Sequence, residues 1–457
     1  MTQNLSVSNF TAARLALMAR IQPRALFDNA FVSALMAAVL LGLSVVSTST
    51  DRKLRLLVSA TRRIDTAVLR KIGTRLLRPW LQPERAEVWR KHRIGWERYF
   101  GEIANIAEDK ALATTLLLKE PGRNGEKGVL YCSFEYNWMK LIANHDVRRF
   151  LQDYLLVGAS SWSPSDHAVL ASLCGLSDDP AFIGISNSSD IPQYSMFAPG
   201  IYPLPILASD WVDPNDFRPT PHAQRSIDII MVSHFDSWKR HWLLFEALTT
   251  MRADLNVVLI GRNINGRTEH VLHNEANAMG VPQQLTIRRN LEIDEVMRLQ
   301  CDAKISVSLS KREGSCVAVT EAMFADTPVA MMDDAHIGSR AYINPQTGRI
   351  VSRRKLAYRL TEMIEQSATF SPRAWAQEHV SAQATSAKLN TLLQQYSVQA
   401  GRPWTRDIAP MCWRYVPRYL NPADEIRLRP GVEQLRRQHG IILKEFLSEQ
   451  QAMRKAS

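Results

Sequence analysis

Two glutamates, Glu313 and Glu321, stand with seven residues between them in the stretch KREGSCVAVTEAM (311–323). Gly314 and Ser315 read as the opening of a helix, with Ser315 as a natural N-cap. The unpaired N–H groups of Cys316, Val317 and Ala318 would then point outward as a site for an anion. A carboxylate repels a neighbouring phosphate but accepts paired hydroxyls well. The pattern fits a ligand with hydroxyls at each end and phosphates between them, which describes a nucleotide sugar. Taken alone, the same spacing also fits a solvated loop glutamate followed by one on a helix surface.

Other chemistries lack their signatures. No G-x-G-x-x-G follows a strand, and GRNGEKG (122–128) lacks P-loop spacing. The five cysteines are scattered without a C-x-x-C pair, and no H-E-x-x-H or D-x-D occurs, so no metal or redox cofactor is expected. His270 and His273 lie three apart on a predicted helix, and two potential ligands alone read as a solvated face rather than a metal site. The net charge of +11 favours anionic partners in general. Trp89, Arg93, Trp96 and Tyr99 interleave aromatic and basic residues, yet no nucleic-acid recognition signature accompanies them. A partly buried amphipathic helix is the expectation there, and nucleic acid is not an expected partner.

The elements that must hold Glu313 and Glu321 are regular. Strand-like SIDIIMVS (226–233), LNVVLIG (255–261), QLTIRR (284–289), KISVSLS (304–310), PVAMMD (328–333) and GRIVS (348–352) alternate with helical segments starting near Trp238, Thr268, Asp294 and Lys355. Such alternation predicts right-handed βαβ units and an open parallel sheet, with ligands at the carboxyl ends of its strands. The first half is less regular: TTLLLK, GVLYCSF, YLLVGAS, AFIGIS and PLPILAS read as strands of a second parallel α/β domain.

Four regions follow: a helical basic extension over 1–110, an α/β domain over 111–218, a second over 219–400, and a helical tail over 401–457. Residues 30–48 form a candidate membrane segment, with Arg14, Arg20 and Arg24 before it and Arg52, Lys53, Arg55, Arg62 and Arg63 after it. The heavier downstream charge would keep the body cytoplasmic, against the inner membrane. The Trp-, Tyr- and Arg-rich tail reads as a cap over a hydrophobic surface.

KREGSCVAVTEAMFADTPVAMM resembles the E-x7-E segment of the family 4 retaining glycosyltransferases of the GT-B fold. VSHFDSWKRHW is similar to that family's G-R-x-x-x-x-K turn, VVLIGR to its V-x-G strand end, NPQTGRIV to its T-G-x-x-V segment, and DPNDFRP (213–219) to its interdomain linker. The resemblance covers about 130–400 and is dense over 213–370. It implies two Rossmann-like domains facing a cleft, and transfer of a sugar from a UDP- or GDP-sugar to a glycan or lipid-linked acceptor in polysaccharide or cell-envelope glycan biosynthesis. Retention of configuration and independence of metal are part of the same implication.

Carried over position by position, the resemblance puts Glu313 on the donor sugar and Glu321 on the ribose. Backbone N–H groups of Gly314, Ser315, Cys316 and Val317 would meet sugar or diphosphate, and Lys239 would neutralise the diphosphate. Gly261 and Arg289, the latter where the family commonly has glycine, join the donor side; Asp326 is a further replaced glycine. Ser233-His234 replaces the family's arginine, so His234, or else Arg240 or Lys311, would supply that charge. Glu135, Tyr136, Asn137 and His145, after the GVLYCSF strand, are the acceptor-side candidates. Two other readings are a catalytically silent GT-B scaffold in a polysaccharide assembly complex and a nucleotide-sugar epimerase.

Overall fold

A computed structural model describes residues 30–62, 67–96 and 110–444, apart from 164, 265 and 415. Arg14, Arg20, Arg24, Arg63 and Tyr99 lie outside the described residues. The chain divides into two compact units at Trp211/Val212 and again at Ser381/Ala382. The expected boundaries were 218/219 and 400/401. The described residues of Phe27–Trp211 and Ala382–Ser457 form one unit, so the helical extension and the tail share a unit with the first sheet.

That unit holds β1 (Thr115–Lys119), β2 (Gly128–Cys132), β3 (Tyr154–Ala159), β4 (Ala181–Gly184) and β5 (Ile201–Leu204), hydrogen-bonded in sequence order. β2 to β5 are parallel, but β1 runs antiparallel to β2, which corrects the expectation of a wholly parallel sheet. The cause is the short GRNGEKG connection: Asn124 and Gly125 take positive φ and Gly122 N–H bonds Glu126 O at 2.9 Å, closing a hairpin too short for a crossover. β5 also begins before PLPILAS, at Ile201, and ends at Leu204, ahead of a 3-10 turn (Ala208–Trp211).

Among the described residues, four α-helices precede this sheet: Ala30–Val46, Thr50–Thr61, Ala67–Leu77 and Ala86–His92. The first has 17 residues, or about 26 Å at the helical rise of ~1.5 Å per residue. No helix among the described residues is long and apolar enough to cross a membrane. The 30–48 segment instead ends at a Ser47–Ser49 turn, where Ser49 caps the next helix through Arg52 N–H. Trp89 is buried on helix Ala86–His92, but Arg93 at φ 47° ends that helix, so Trp96, also buried, lies beyond it and the expected amphipathic helix does not carry both.

The tail lies on the first sheet. Leu389 and Leu393 of helix Ala382–Gln399 join Leu116, Leu118 and Val129 in one core, with Leu428 of helix Pro422–His439. Asp179 receives Arg402, Lys127 and the Tyr396 hydroxyl, at 2.5, 2.6 and 2.8 Å, which staples the tail in place. The apolar tail side chains thus cap a hydrophobic surface, as the sequence suggested.

The second unit, Val212–Ser381, carries six parallel strands: β6 (Ile227–Val232), β7 (Val257–Gly261), β8 (Leu285–Arg289), β9 (Ala303–Ser308), β10 (Val329–Met332) and β11 (Gly348–Val351). Their order is β11-β10-β9-β6-β7-β8. The chain winds one way from β6 and then the other from β9, so strand order reverses between these two neighbours. Ligands of open α/β sheets bind outside the carboxyl ends of the strands at such a reversal. β12 (Met411–Arg414) and β13 (Val416–Tyr419) form a separate hairpin in the tail.

Candidate functional site

The turns after β6 and β9 converge at the reversal. After β6 the chain passes Ser233 and His234, makes a 3-10 turn (Ser237–Lys239), and enters helix His241–Leu248 through Arg240 at φ 56°. After β9 it runs through 309–315 into helix Val317–Phe324. Lys239 Nζ meets Glu313 Oε1 at 2.7 Å, with both side chains about 90% buried. A narrow pocket of about 10 Å³, lined by Ser306, Ser308, Ser310 and Cys316, underlies the pair; it has room for about one water.

The loop holding Glu313 is pinned along its backbone. Glu313 N–H bonds His336 O at 3.2 Å, and Gly314 and Ser315 carbonyls accept from Gly338 and Ser339 N–H at 2.8 and 3.3 Å. Ser315 is therefore buried within the loop and does not cap the helix; Cys316 occupies the N-cap at φ 56° with no side-chain cap bond. This corrects the expected cap. The first turn keeps its positive end without an internal hydroxyl acceptor, so its anion-attracting character survives the change of cap residue. Burial, and then the Glu313 carboxylate, push the Cys316 thiol up to about 12, so Cys316 stays protonated. Its backbone, not its sulfur, is the group suited to an anion.

Glu321 lies one to two turns further along the same helix, half-buried, and desolvation raises its carboxyl to about 7, only partly offset by the Gln300 amide. Such a carboxyl gains from a hydroxyl-bearing ligand, which supplies the hydrogen bonds its surroundings lack. Nearby, the Thr320 and Ser339 hydroxyls are buried without a hydrogen-bond partner. Sequence reading missed both, since a lone Ser or Thr carries no pattern.

Gly261 ends β7 where a Cβ would come 2.1 Å from Ser233 O and 2.7 Å from the Phe235 ring. Only glycine allows β7 to run this close to the turn bearing His234. His234 itself is exposed, and partial burial together with Lys239 and Arg262 depresses its pKa below the usual 6.5. It is neutral at pH 7 and adds no fixed charge. Arg240 is committed elsewhere: its guanidinium holds Asp334 at 2.7 and 2.9 Å and donates to Leu309 O. Lys311 is exposed beside Asp334. Arg262, whose charge bears on His234, went unnoticed in the sequence because it follows a strand end read for its glycine. Arg289 sits exposed at the end of β8, paired with Glu269 at 2.7 Å. Two strands separate β8 from β9 in the sheet, which sets Arg289 apart from the Lys239–Glu313 pair.

The acceptor-side candidates divide. Glu135 opens helix Glu135–Asn144 after Phe134 at φ 72°; it is buried and accepts from Ser161 Oγ at 2.6 Å and from Ser161 N–H at 3.2 Å. Desolvation lifts its carboxyl to about 7. The Tyr136 hydroxyl lies 3.2 Å from Thr114 Oγ1. Asn137 is spent on structure: its amide donates to Ala113 O, Thr114 Oγ1 and Ser133 O at 2.6 to 2.9 Å and accepts from Ala113 N–H. His145 caps the far end of the same helix, beside His439 and Gly440, and is not brought to Glu135. Its helix-end position follows from its spacing of ten from Glu135, which sequence reading did not use.

Among the described residues, no group of three or more His, Cys, Asp or Glu is placed to hold a metal ion. An open parallel sheet with a buried lysine–glutamate pair at its reversal is the arrangement of an α/β ligand-binding domain. Residues 212–379 match the family described as Glycosyl transferases group 1, and the protein is a glycosyltransferase. No curated protein matches the sequence. Among solved structures, the chain is similar to sucrose-phosphate synthase from Thermosynechococcus elongatus, at 13% identity and TM-score 0.47 over 69% of this chain and 79% of that one. It is also similar to Anabaena HepE in complex with UDP, at 14% identity and TM-score 0.44 over 57% and 76%.

Proposed function

We propose that the protein transfers a sugar from a UDP- or GDP-sugar to a glycan or lipid-linked acceptor in polysaccharide or cell-envelope glycan synthesis, with retention and without a metal. The observation that carries this reading is the Lys239–Glu313 pair at 2.7 Å beside the helix start Val317–Phe324. A diphosphate entering there competes with Glu313 for the Lys239 ammonium and draws on the helix N-terminus. Glu313 is then available to hydroxyls of the donor sugar, and Glu321 to those of the ribose. Charge develops on the departing diphosphate, so a fixed cation and helix dipole aimed at it supply the largest part of catalysis. Glu135 serves the acceptor side, and catalysis takes place on the cytoplasmic side of the inner membrane.

One observation favours a second reading, a silent scaffold: the position of the family's arginine is filled by His234, uncharged at pH 7, while Arg240 is tied to Asp334. The two readings separate in a melting-temperature screen against nucleotides and nucleotide sugars, followed by donor hydrolysis with wild type and Glu313→Ala. A ligand bound only by the folded state raises the midpoint in proportion to the logarithm of its concentration over Kd. Transfer predicts a shift with UDP or GDP, and slow donor turnover that the substitution abolishes. Absence of any nucleotide-induced shift would sink it; binding without turnover would leave the scaffold.

A further inference from the structure

The helix Ala30–Val46 inverts the usual arrangement of a surface helix. It contains no charged residue, and its buried face is built from small groups, Ser33, Ala37 and Ser44, with Leu41. Its large apolar side chains face outward instead: Leu35, Val39, Leu43 and Val46 are all exposed, the last at 74%. Their spacing of four, four and three puts them on one stripe. The adjoining helix Ala67–Leu77 adds exposed Val68 and Ile72, with Arg70, Lys71 and Arg75 exposed around them. Water solvates such an apolar stripe poorly, and stripes of this kind mark contact surfaces.

The surrounding charge selects the occupant. Among the described residues of 30–83 there are eight Lys or Arg and a single acid, Asp51, which is itself paired with Arg55 at 3.0 Å. A second copy of the chain would bring this basic surface against an identical one. An anionic bilayer presents opposite charge and an apolar interior together. We propose that this face is a docking surface for an anionic lipid membrane, with helix Ala30–Val46 lying in the plane of the interface and its Leu35–Val46 stripe among the acyl chains. The inference stands on a different unit from the Lys239–Glu313 site and is read by vesicle binding, so it survives or fails independently of sugar transfer.

The helices are coupled to the rest of their unit at specific points. Arg62 Nη2 binds Asp166 Oδ2 at 2.5 Å, and Arg90 donates to the backbone carbonyls of Ser172 and Cys174 at 2.9 and 2.8 Å. Asp166 caps helix His167–Leu173 and follows the loop whose Ser161 holds Glu135. A membrane held by these helices therefore lies in a fixed relation to the loop around Glu135, as a lipid-linked acceptor requires.

Flotation of the full chain with phosphatidylglycerol-containing vesicles and with pure phosphatidylcholine vesicles tests the proposal. Binding is expected to the anionic vesicles and to fall steeply between about 0.1 and 1 M salt. Leu35→Glu/Val39→Glu should weaken it about a hundredfold, and Lys71→Glu/Arg75→Glu, on exposed positions that leave the fold alone, about tenfold. Circular dichroism of both variants checks that folding is unchanged. No binding by wild type, equal binding by wild type and a folded Leu35→Glu/Val39→Glu, or a wild-type dimer that this variant dissociates would each overturn it.

Discussion

Glu313 and Glu135 both follow the carboxyl end of a strand and are both buried, at 8% and 1% exposure, but their partners differ in kind. Glu313 meets an ammonium, Lys239, at 2.7 Å. Glu135 meets uncharged donors, the Ser161 hydroxyl and backbone N–H groups, while Arg62, a cation of the same unit, is taken by Asp166. Without a cation, burial lifts Glu135 to about 7. Two similar sequence contexts thus yield a buried ion pair in one unit and a proton-exchanging carboxyl in the other. A buried charge needs a partner or loses its charge, and these glutamates take the two courses.

The largest effect should come from removing the cation. Lys239→Met deletes the group opposite the diphosphate and should lower donor turnover by roughly a hundred- to a thousandfold. It also strands the Glu313 carboxylate in a buried site, at a stability cost of about 3–5 kcal/mol. The double variant Lys239→Met/Glu313→Gln should recover most of the stability and none of the turnover. Urea denaturation and donor hydrolysis on the same samples read both quantities. If the single and double variants prove equally stable, the pair is not the buried ion pair that sets this site apart from Glu135.

A smaller effect tests the other member. Because the Glu135 carboxyl stands above its unfolded value of about 4.3, the folded state binds more protons than the unfolded one up to about pH 7. Its contribution to stability is full in acid and is lost as pH rises from the unfolded value to about 7, after which it stays constant. Glu321, also raised to about 7, acts in the same direction. Glu135→Gln should therefore gain on wild type, by on the order of 2 kcal/mol, between pH 5 and pH 8. It should leave the remaining Glu321-dependent slope in place. A variant that tracks wild type across this window would mean that Glu135 is ionised throughout, and the contrast with Glu313 would disappear.

How far these features were legible in the sequence differs between the units for the same reason. In Val212–Ser381 five of the six strands fall within the apolar segments read from the sequence and β9 starts one residue before its segment, at Ala303, because strands alternate with helices and most are buried on both faces. The E-x7-E spacing singled out Glu313 and Glu321, and the resemblance of VSHFDSWKRHW to the family's G-R-x-x-x-x-K turn singled out Lys239, which the structure pairs with Glu313. The switch between β6 and β9 that joins them could not be read, since strand order within a sheet leaves no local trace. The left-handed Cys316 was equally hidden: Ser315 has the better capping chemistry, and tertiary bonds from Gly338 and Ser339 override it. In the other unit the antiparallel β1 and the tail packed on the same sheet depend on long-range contacts such as Tyr419 OH to Leu117 O at 2.7 Å. His145 and Asn137 were grouped with Glu135 by proximity in sequence alone. A helix end sets the first apart, and four hydrogen bonds occupy the second.

The smallest effect concerns the open place in the charge pattern. His234 stands where the resemblance calls for arginine, and partial burial with Lys239 and Arg262 nearby keeps its pKa below 6.5. At pH 7.5 it carries no charge, so His234→Gln should change nucleotide affinity by less than about twofold. His234→Arg adds a permanent bidentate donor and should tighten a nucleoside diphosphate by roughly tenfold, about 1.4 kcal/mol. Titration calorimetry with UDP and GDP measures both. A loss of roughly tenfold or more in His234→Gln would show that an incoming diphosphate itself protonates the histidine. The Lys239–Glu313 site would then hold part of its charge by a proton, and its contrast with the exchangeable carboxyl of Glu135 would weaken.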